Sequence, residues 1–211
     1  MCINMLRSPC LRAPAKGYAP FDGGPEAADS VQRLLKGTKW TNAAALRARA
    51  VLFLLAVYGL RSGEIARLLL SDFDCRGETF TVNHSKRGGA QKYPLQREVG
   101  DAILVYIQKA RPRSSCQNLF LTLKLPYRAI GCSTLWGITS RGMQAAGIRC
   151  QRRGPHSLRH ACATHLLEQG ASMKEIGDLL GHRDYRSTSI YAKVHLQQLR
   201  RVADFDLGGL L

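Results

Sequence analysis

The stretch from Ala43 to Leu60, AAALRARAVLFLLAVYGL, constrains the fold more than any other part of the chain. Its composition favours a helix, and its apolar positions cover a broad face rather than a narrow stripe. Such a face is stable in water only when other elements pack around it. Its most apolar part, from Ala50 to Leu60, is far shorter than the ~20 residues of a membrane-spanning helix. We therefore predict a largely buried helix in a soluble protein.

The remaining segments predict further helices and one small sheet. The segments ETFTVNHSK and AQKYPL flank Arg87, Gly88 and Gly89, which is typical of a β-hairpin with glycines at its turn. Glycines and prolines end the helical patterns elsewhere. The predicted helices cover EIARLLL with Glu64 in its first turn, Glu98 to Ala110, Ser133 to Ala146 closed by Gly147, HSLRHACATHLLEQG ending on Gly170, SMKEIGDLLG ending on Gly181, and a last helix carrying SIYAKV. The fold class is mainly α with a small antiparallel β-sheet (α+β).

Composition divides the chain into three parts. Residues 1–30 hold four prolines and three glycines without sustained periodicity, which predicts a flexible leader or the remnant of a linker. Residues 31–203 form the predicted folded domain, and residues 204–211 a C-terminal tail. The seven cysteines lack zinc-ligand spacing and no secretory signal is visible, so we expect reduced, mostly packed thiols in the cytosol.

The charge balance points to a polyanionic partner. Lysine and arginine total 31 against 15 acidic residues, a net charge of +16. A metabolic enzyme rarely carries that excess, because like charges oppose compaction. Nucleic acid is the commonest partner that neutralises it. The alternative is a merely basic protein, such as a ribosome-associated factor.

Two weak local patterns lie in the first half of the chain. YGLRSGE centres on Arg61 at a break between two helices, where an arginine that only caps a helix junction is the ordinary alternative. Lys86 stands immediately before the predicted hairpin turn, where a lysine is usually solvated.

Two further patterns lie in the last third. GPHSLRH places His156 and Arg159 three residues apart at the start of a helix, where free N–H groups and two cations together would seat a phosphate. LLGHRDYRSTSIYAKV places His182 just past a helix end and Tyr191 nine residues later. Taken alone, a histidine at a helix start and a tyrosine on an amphipathic helix are more often structural.

Taken together and in order, these patterns resemble the tyrosine recombinase (phage integrase-like) family. The resemblance covers about Leu46 to Val202, and GLRSGE, SKRGG, HSLRH, LGH and IYAKV match the family's motifs. The YAKV version and the tail LRRVADFDLGGLL are most similar to recombinases of bacterial insertion elements. The implied catalytic residues are Arg61, Lys86, His156, Arg159, His182 and Tyr191, supported by Glu64 and His160.

The chemistry of phosphoryl transfer assigns a task to each of these residues. Arg61 and Arg159 would stabilise charge on the non-bridging oxygens, which a metal ion would otherwise do. Tyr191 has an ordinary pKa of ~10, so it needs a cationic pocket to act as the nucleophile. His156 is the candidate acid/base for the tyrosine proton, Lys86 the candidate acid for the 5′-oxygen, and His182 a hydrogen-bond donor to the phosphate. Glu64 either orients an active-site base or serves the helix dipole, and His160 supports the structure.

Several residues compete with these assignments. Tyr185 also lies after His182, but the spacing and the IYA context favour Tyr191. Lys92 and Arg87 compete with Lys86 by a smaller margin. His165 is expected to be packed, and His84 and His195 receive no assignment.

The resemblance implies a site-specific DNA recombinase or integrase of a mobile element. It would break and rejoin DNA through a 3′-phosphotyrosyl intermediate without metal, ATP or another cofactor. The alternatives are a type IB topoisomerase-like relaxation enzyme and a truncated DNA-binding relative without turnover. The implied partners are double-stranded DNA, a homotetramer on paired DNA sites and accessory or co-recombinase proteins, with no membrane, on the nucleoid in a bacterial cytoplasm.

The family usually carries an N-terminal helical DNA-clamping domain before the first-arginine helix. This chain has only about 40 residues there. It is therefore expected to be either a catalytic-domain-only member, as the fimbrial inversion recombinases are, or a truncated reading frame.

Overall fold

A computed structural model of the chain describes residues 33–35, 41–84, 89–148 and 153–181. The predicted leader, the hairpin turn with Lys86, the last helix with Tyr191 and the C-terminal tail lie outside the described residues. The described elements, in chain order, are α1 (Ala43–Tyr58), α2 (Ser62–Arg67), a 3-10 turn (Leu70–Asp72), β1 (Phe73–Asp74), β2 (Thr79–His84), β3 (Gly89–Pro94), α3 (Arg97–Lys109), α4 (Cys132–Ala145), α5 (Pro155–Glu168) and α6 (Met173–Leu180).

The predicted central helix is confirmed as α1. Asn42 caps its N-terminus by accepting a hydrogen bond from the amide of Ala45 at 2.8 Å. Most of its residues from Ala50 onward are buried, and it packs against α3, α4 and α5. The other helices therefore cover the broad apolar face that the sequence shows. Within the described residues, none of the helices combines the length and the apolar character needed to cross a bilayer.

The sheet is antiparallel and has the strand order β1-β2-β3. Phe80 pairs with Tyr93, and the last pair of the hairpin joins His84 to Gly89. Phe80, Val82 and His84 alternate along the buried face of β2, as the twofold periodicity of a strand requires. The rings of Tyr58, Phe80 and Tyr93 lie within 6 Å of one another, centroid to centroid. This aromatic cluster attaches the sheet to the end of α1.

The mainly α fold with a small sheet is confirmed, with three local corrections. Helix α2 ends at Arg67, so the predicted continuation through EIARLLL is wrong; Leu68 is buried in a non-helical conformation. The strand β1 was not predicted, because two residues carry no periodicity. Of the four described cysteines only Cys162 is buried, and Cys75 and Cys132 are exposed, so the expectation of mostly packed thiols is wrong for the described ones.

Candidate active site

Arg61 stands at the sharp junction between α1 and α2. Gly59 ends α1 in the left-handed region with φ 59°, where a glycine is favoured, and Leu60 is buried. Arg61 then occupies the N-cap of α2, and its backbone N–H donates to the Glu64 carboxylate at 2.8 Å. The GLRSGE pattern is therefore a turn that fixes an arginine at a helix start.

The buried carboxylate of Glu64 also binds the side chain of Arg61. Its Oε1 accepts hydrogen bonds from Arg61 Nη1 at 2.9 Å and from His84 Nδ1 at 2.8 Å. Burial by itself raises the pKa of Glu64, but the hydrogen bonds from Arg61 and His84 outweigh it and hold the pKa below its ordinary value. Glu64 thus stays ionised beside Arg61, which is more specific than the dipole role considered from sequence.

His84 is the residue that sequence reasoning missed. It is buried at the end of β2, and its Nε2 lies 3.0 Å from Gln91 Oε1 on the neighbouring strand. The signal was present in the alternation of β2, which puts a polar side chain on the inward face at this position. An isolated histidine in a strand offers no local motif, so no role was assigned to it.

The C-terminal end of α6 gathers side chains from three other elements. The last four carbonyls of a helix have no partner within the helix. Here Asp178 O accepts from Gln91 at 3.3 Å, Leu179 O from Tyr93 at 2.8 Å, Leu180 O from Arg159, and Gly181 O from Arg61 at 2.9 Å. The two arginines are thereby brought to consecutive carbonyls, where the negative end of the helix dipole favours cations.

Arg159 and His156 do not share one environment. Pro155 begins α5, and His156 is exposed in its first turn. Arg159 is buried and donates to Gly59 O and Leu180 O. In the pattern GPHSLRH, His156 is therefore exposed and Arg159 is buried. This differs from the predicted phosphate site, to which both side chains would contribute from one face of the helix.

The other histidines of α5 behave differently from each other. Burial, followed by the positive charges of His156 and Arg159, lowers the pKa of His160, so its ring is neutral near pH 7. His165 is exposed, with its Nε2 3.1 Å from Gln169 Nε2, so the expectation that it is packed is wrong.

Three predicted catalytic residues, Lys86, His182 and Tyr191, lie outside the described residues, as do Arg87, Tyr185 and His195. Lys86 follows His84 by two positions in the sequence, and His182 follows Gly181 directly. Both described neighbours belong to the Arg61 cluster, which we define as Arg61, Glu64, His84, Arg159 and Gly181.

A family model shows what kind of protein carries this cluster. The model described as the phage integrase family matches residues 27–198, which is most of the chain. The chain belongs to the phage integrase family. A relative named putative integrase/recombinase y4gC of Sinorhizobium fredii is 42% identical over 83% of this chain and 91% of its own length.

More distant tyrosine recombinases of the family agree with the fold. The XerD recombinase of Listeria innocua is 31% identical, and the chain spans 59% of its length. The crystal structure of a XerA recombinase superposes with a TM-score of 0.71 at 23% identity, covering 92% of this chain and 66% of that one. The fold of this integrase-family chain is that of a tyrosine recombinase catalytic domain.

The geometry of the Arg61 cluster suits the binding of an anion such as a phosphate. Arg61 keeps 37% of its side chain exposed, and two of the five N–H donors of its guanidinium are used in the contacts above. The remaining donors form a planar fork that matches the oxygens of a phosphate. The cluster of this integrase-family member can therefore hold a phosphate at Arg61, with the buried Arg159 adding positive charge from the neighbouring carbonyl of Leu180.

Proposed function

We propose that this chain is a site-specific DNA recombinase that breaks and rejoins DNA through a 3′-phosphotyrosyl intermediate on Tyr191. The observation that carries the proposal is the Arg61 cluster, in which both arginines of the family motifs converge on the end of α6. The family assignment and the +16 net charge support DNA as the substrate.

The reaction conserves the energy of the phosphodiester. The phenolic oxygen of Tyr191 attacks the phosphorus, the bond to the 5′-oxygen breaks, and that oxygen leaves as a hydroxyl after it gains a proton. Attack of a 5′-hydroxyl on the phosphotyrosine reverses these steps and returns the proton to the tyrosine. Because one ester replaces another, the cycle needs no ATP. Arg61 and Arg159 supply the charge stabilisation, so the scheme needs no metal ion.

The proton transfers are assigned to three residues. His156, exposed at the start of α5, takes the proton of Tyr191. His182 donates a hydrogen bond to the phosphate. Lys86 delivers the proton to the 5′-oxygen. The rival Lys92 is exposed and is the neighbour of Gln91, whose side chain reaches His84, so Lys92 points to the opposite face of β3.

The assembly follows from the same reasoning. Exchange of strands between two sites needs four cleavages, which a homotetramer on paired double-stranded DNA sites provides, assisted by accessory or co-recombinase proteins. Two structures with this fold support a DNA partner: the XerH site-specific recombinase bound to its difH substrate and the Tn1549 transposon integrase in complex with DNA. We place the protein on the nucleoid in a bacterial cytoplasm, serving a mobile element.

The test is covalent trapping on a nicked suicide substrate from which the 5′-hydroxyl strand diffuses away. Wild-type protein, with a chelator present and ATP absent, should form a protein–DNA adduct that survives denaturation. Lack of an adduct across DNA from the flanks of the gene would contradict the proposal. Relaxation of supercoiled plasmid without recombination of two sites would instead favour a type IB topoisomerase-like activity.

A further inference from the structure

Both ring nitrogens of His84 face oxygen atoms that accept hydrogen bonds. Nδ1 lies 2.8 Å from Glu64 Oε1, and Nε2 lies 3.0 Å from Gln91 Oε1. The amide of Gln91 is oriented by its Nε2, which donates to Asp178 O at 3.3 Å, so its oxygen is the atom that faces the ring. Because the ionised carboxylate of Glu64 can only accept, Nδ1 is the donor in the contact with Glu64.

His84 therefore links the base of the hairpin to the carboxylate that holds Arg61. The side chain is buried at the last residue of β2, and Arg61 Nη1 and His84 Nδ1 bond to the same oxygen of Glu64. A Cβ added at Gly181 would lie 3.1 Å from His84 Cε1 and 3.5 Å from Arg61 Nη1, so the three groups are closely packed.

We propose that His84 is a positioning residue for Arg61, acting through Glu64; the inference rests on the proposed function. Glu64 Oε2 is engaged by the backbone N–H of Arg61, and His84 Nδ1 bonds to Oε1, the oxygen that also accepts from the guanidinium. Without that donor, the carboxylate is free to turn toward Arg61 and take a second N–H of its fork. The donors of Arg61 that would face a phosphate are then turned away or occupied.

Two substitutions of His84 distinguish its contact with Glu64 from its contact with Gln91. In His84→Asn, the side-chain amide nitrogen can take the place of Nδ1 and donate to Glu64. In His84→Gln, the amide nitrogen reaches the place of Nε2 and the contact with Glu64 is lost. Both variants are polar and smaller than or similar to histidine, so they are matched for burial. His84→Leu removes both contacts.

The experiment measures the single-turnover rate of adduct formation at saturating DNA, with DNA affinity and Tm recorded for each variant. His84→Gln and His84→Leu should slow the rate about 10- to 100-fold, which is the effect of one hydrogen bond to a charged group. His84→Asn should recover most of the rate. DNA affinity should change little, because His84 itself is buried and Arg61 is one of 31 basic residues.

The rank order of Asn and Gln decides the inference, even if His84→Leu does not fold. If the two variants have equal rates, or if Gln is faster than Asn, His84 does not act through Glu64 and the inference is wrong. If wild-type protein forms no adduct at all, the proposed function fails and takes this inference with it. An active wild type with the wrong rank order overturns the inference alone.

Discussion

At the scale of single residues, the proposed function gives the cations of the site two different tasks. Arg61 and Arg159 are fixed by backbone carbonyls and would stabilise charge on the non-bridging oxygens. Lys86, which lies between β2 and β3 in the sequence, is proposed to give a proton to the leaving 5′-oxygen. Fixed geometry suits the first task because electrostatic stabilisation depends on preorganised donors.

Replacing the bridging 5′-oxygen by sulfur distinguishes these tasks. A general acid contributes about 10²–10⁴ to a rate, so Lys86→Ala should slow cleavage of ordinary DNA by that order. The leaving thiolate needs no proton, so the same variant should recover most of its rate on the sulfur substrate. Arg61→Ala should show no such rescue. The measurement is the single-turnover cleavage rate of each variant on both substrates.

Lys92→Ala is the matched control for the hairpin. Its side chain is exposed on the strand that follows the turn. Rescue of Lys92→Ala in place of Lys86→Ala would move the acid to β3. If neither variant is rescued on the sulfur substrate, the hairpin binds the DNA backbone and supplies no proton.

The reactivity of the cysteines offers a second test at this scale. Burial raises the pKa of Cys162 to about 11, and its Sγ donates to Val57 O at 3.4 Å. At pH 8 only about one molecule in 10³ then carries the reactive thiolate. Iodoacetamide should modify the exposed Cys75 and Cys132 in the native protein and leave Cys162 intact, as peptide mass spectrometry would show.

Denaturant provides the control for this labelling. Cys162 should react as fast as Cys75 once the chain unfolds, because burial alone protects it. Equal labelling of the two cysteines in the native protein would contradict the packing described between α1 and α5.

Members of the Arg61 cluster could be predicted where a sequence motif carries them. GLRSGE and HSLRH identified Arg61 and Arg159, and the structure brings these two together. His84 could not be found in the same way, because its contacts with Glu64 and Gln91 are created only by folding. The sequence also did not show that His156 is exposed while Arg159 is buried, because a spacing of three residues does not determine the burial of either side chain.

At the scale of elements, helix boundaries could be predicted well where a glycine or a proline follows the helix. The helices α3 and α4 begin and end within one residue of the prediction, and Gly147 and Gly181 end α4 and α6 as predicted. The predicted end of α2 was wrong because Leu68 and Leu70 continue the apolar pattern. The chain instead leaves the helix, and Leu69 pairs with Asn118. Long-range contacts overrode local propensity there.

Gly181 ends α6 and also lies close to His84 and Arg61 of the Arg61 cluster. It has φ 63°, and an added Cβ would lie 3.1 Å from His84 Cε1. Gly181→Ala should therefore cost at least the ~1–2 kcal/mol of a left-handed alanine, and it should also displace His84 or Arg61. We expect a lower free energy of unfolding, measured by urea denaturation, together with slower adduct formation.

Gly147→Ala is the matched control. Gly147 has φ 68° but nothing within 4 Å of an added Cβ. It should lose similar stability without any loss in the rate of adduct formation on folded protein. Equal rates for the two variants would show that Gly181 has no part in arranging the site.

At the scale of the whole molecule, the charge excess governs binding. With a net charge of +16, contacts to phosphates should dominate the affinity for DNA. Neutralising ~6–10 phosphates would lower the affinity by ~10³–10⁵ between 50 and 200 mM salt. Fluorescence anisotropy with random and candidate-site duplexes would measure this slope. A salt-insensitive affinity, or nanomolar sequence-specific binding by this chain alone, would contradict it.

The most direct test of the proposed chemistry compares two tyrosines on the nicked suicide substrate. Tyr191→Phe should bind DNA as wild type does and form no covalent adduct, because it lacks the oxygen that attacks phosphorus. Tyr185→Phe should still form the adduct, and digestion of that adduct should leave the nucleotide on the peptide that carries Tyr191. Adducts from Tyr191→Phe together with none from Tyr185→Phe would show that the nucleophile is the other tyrosine.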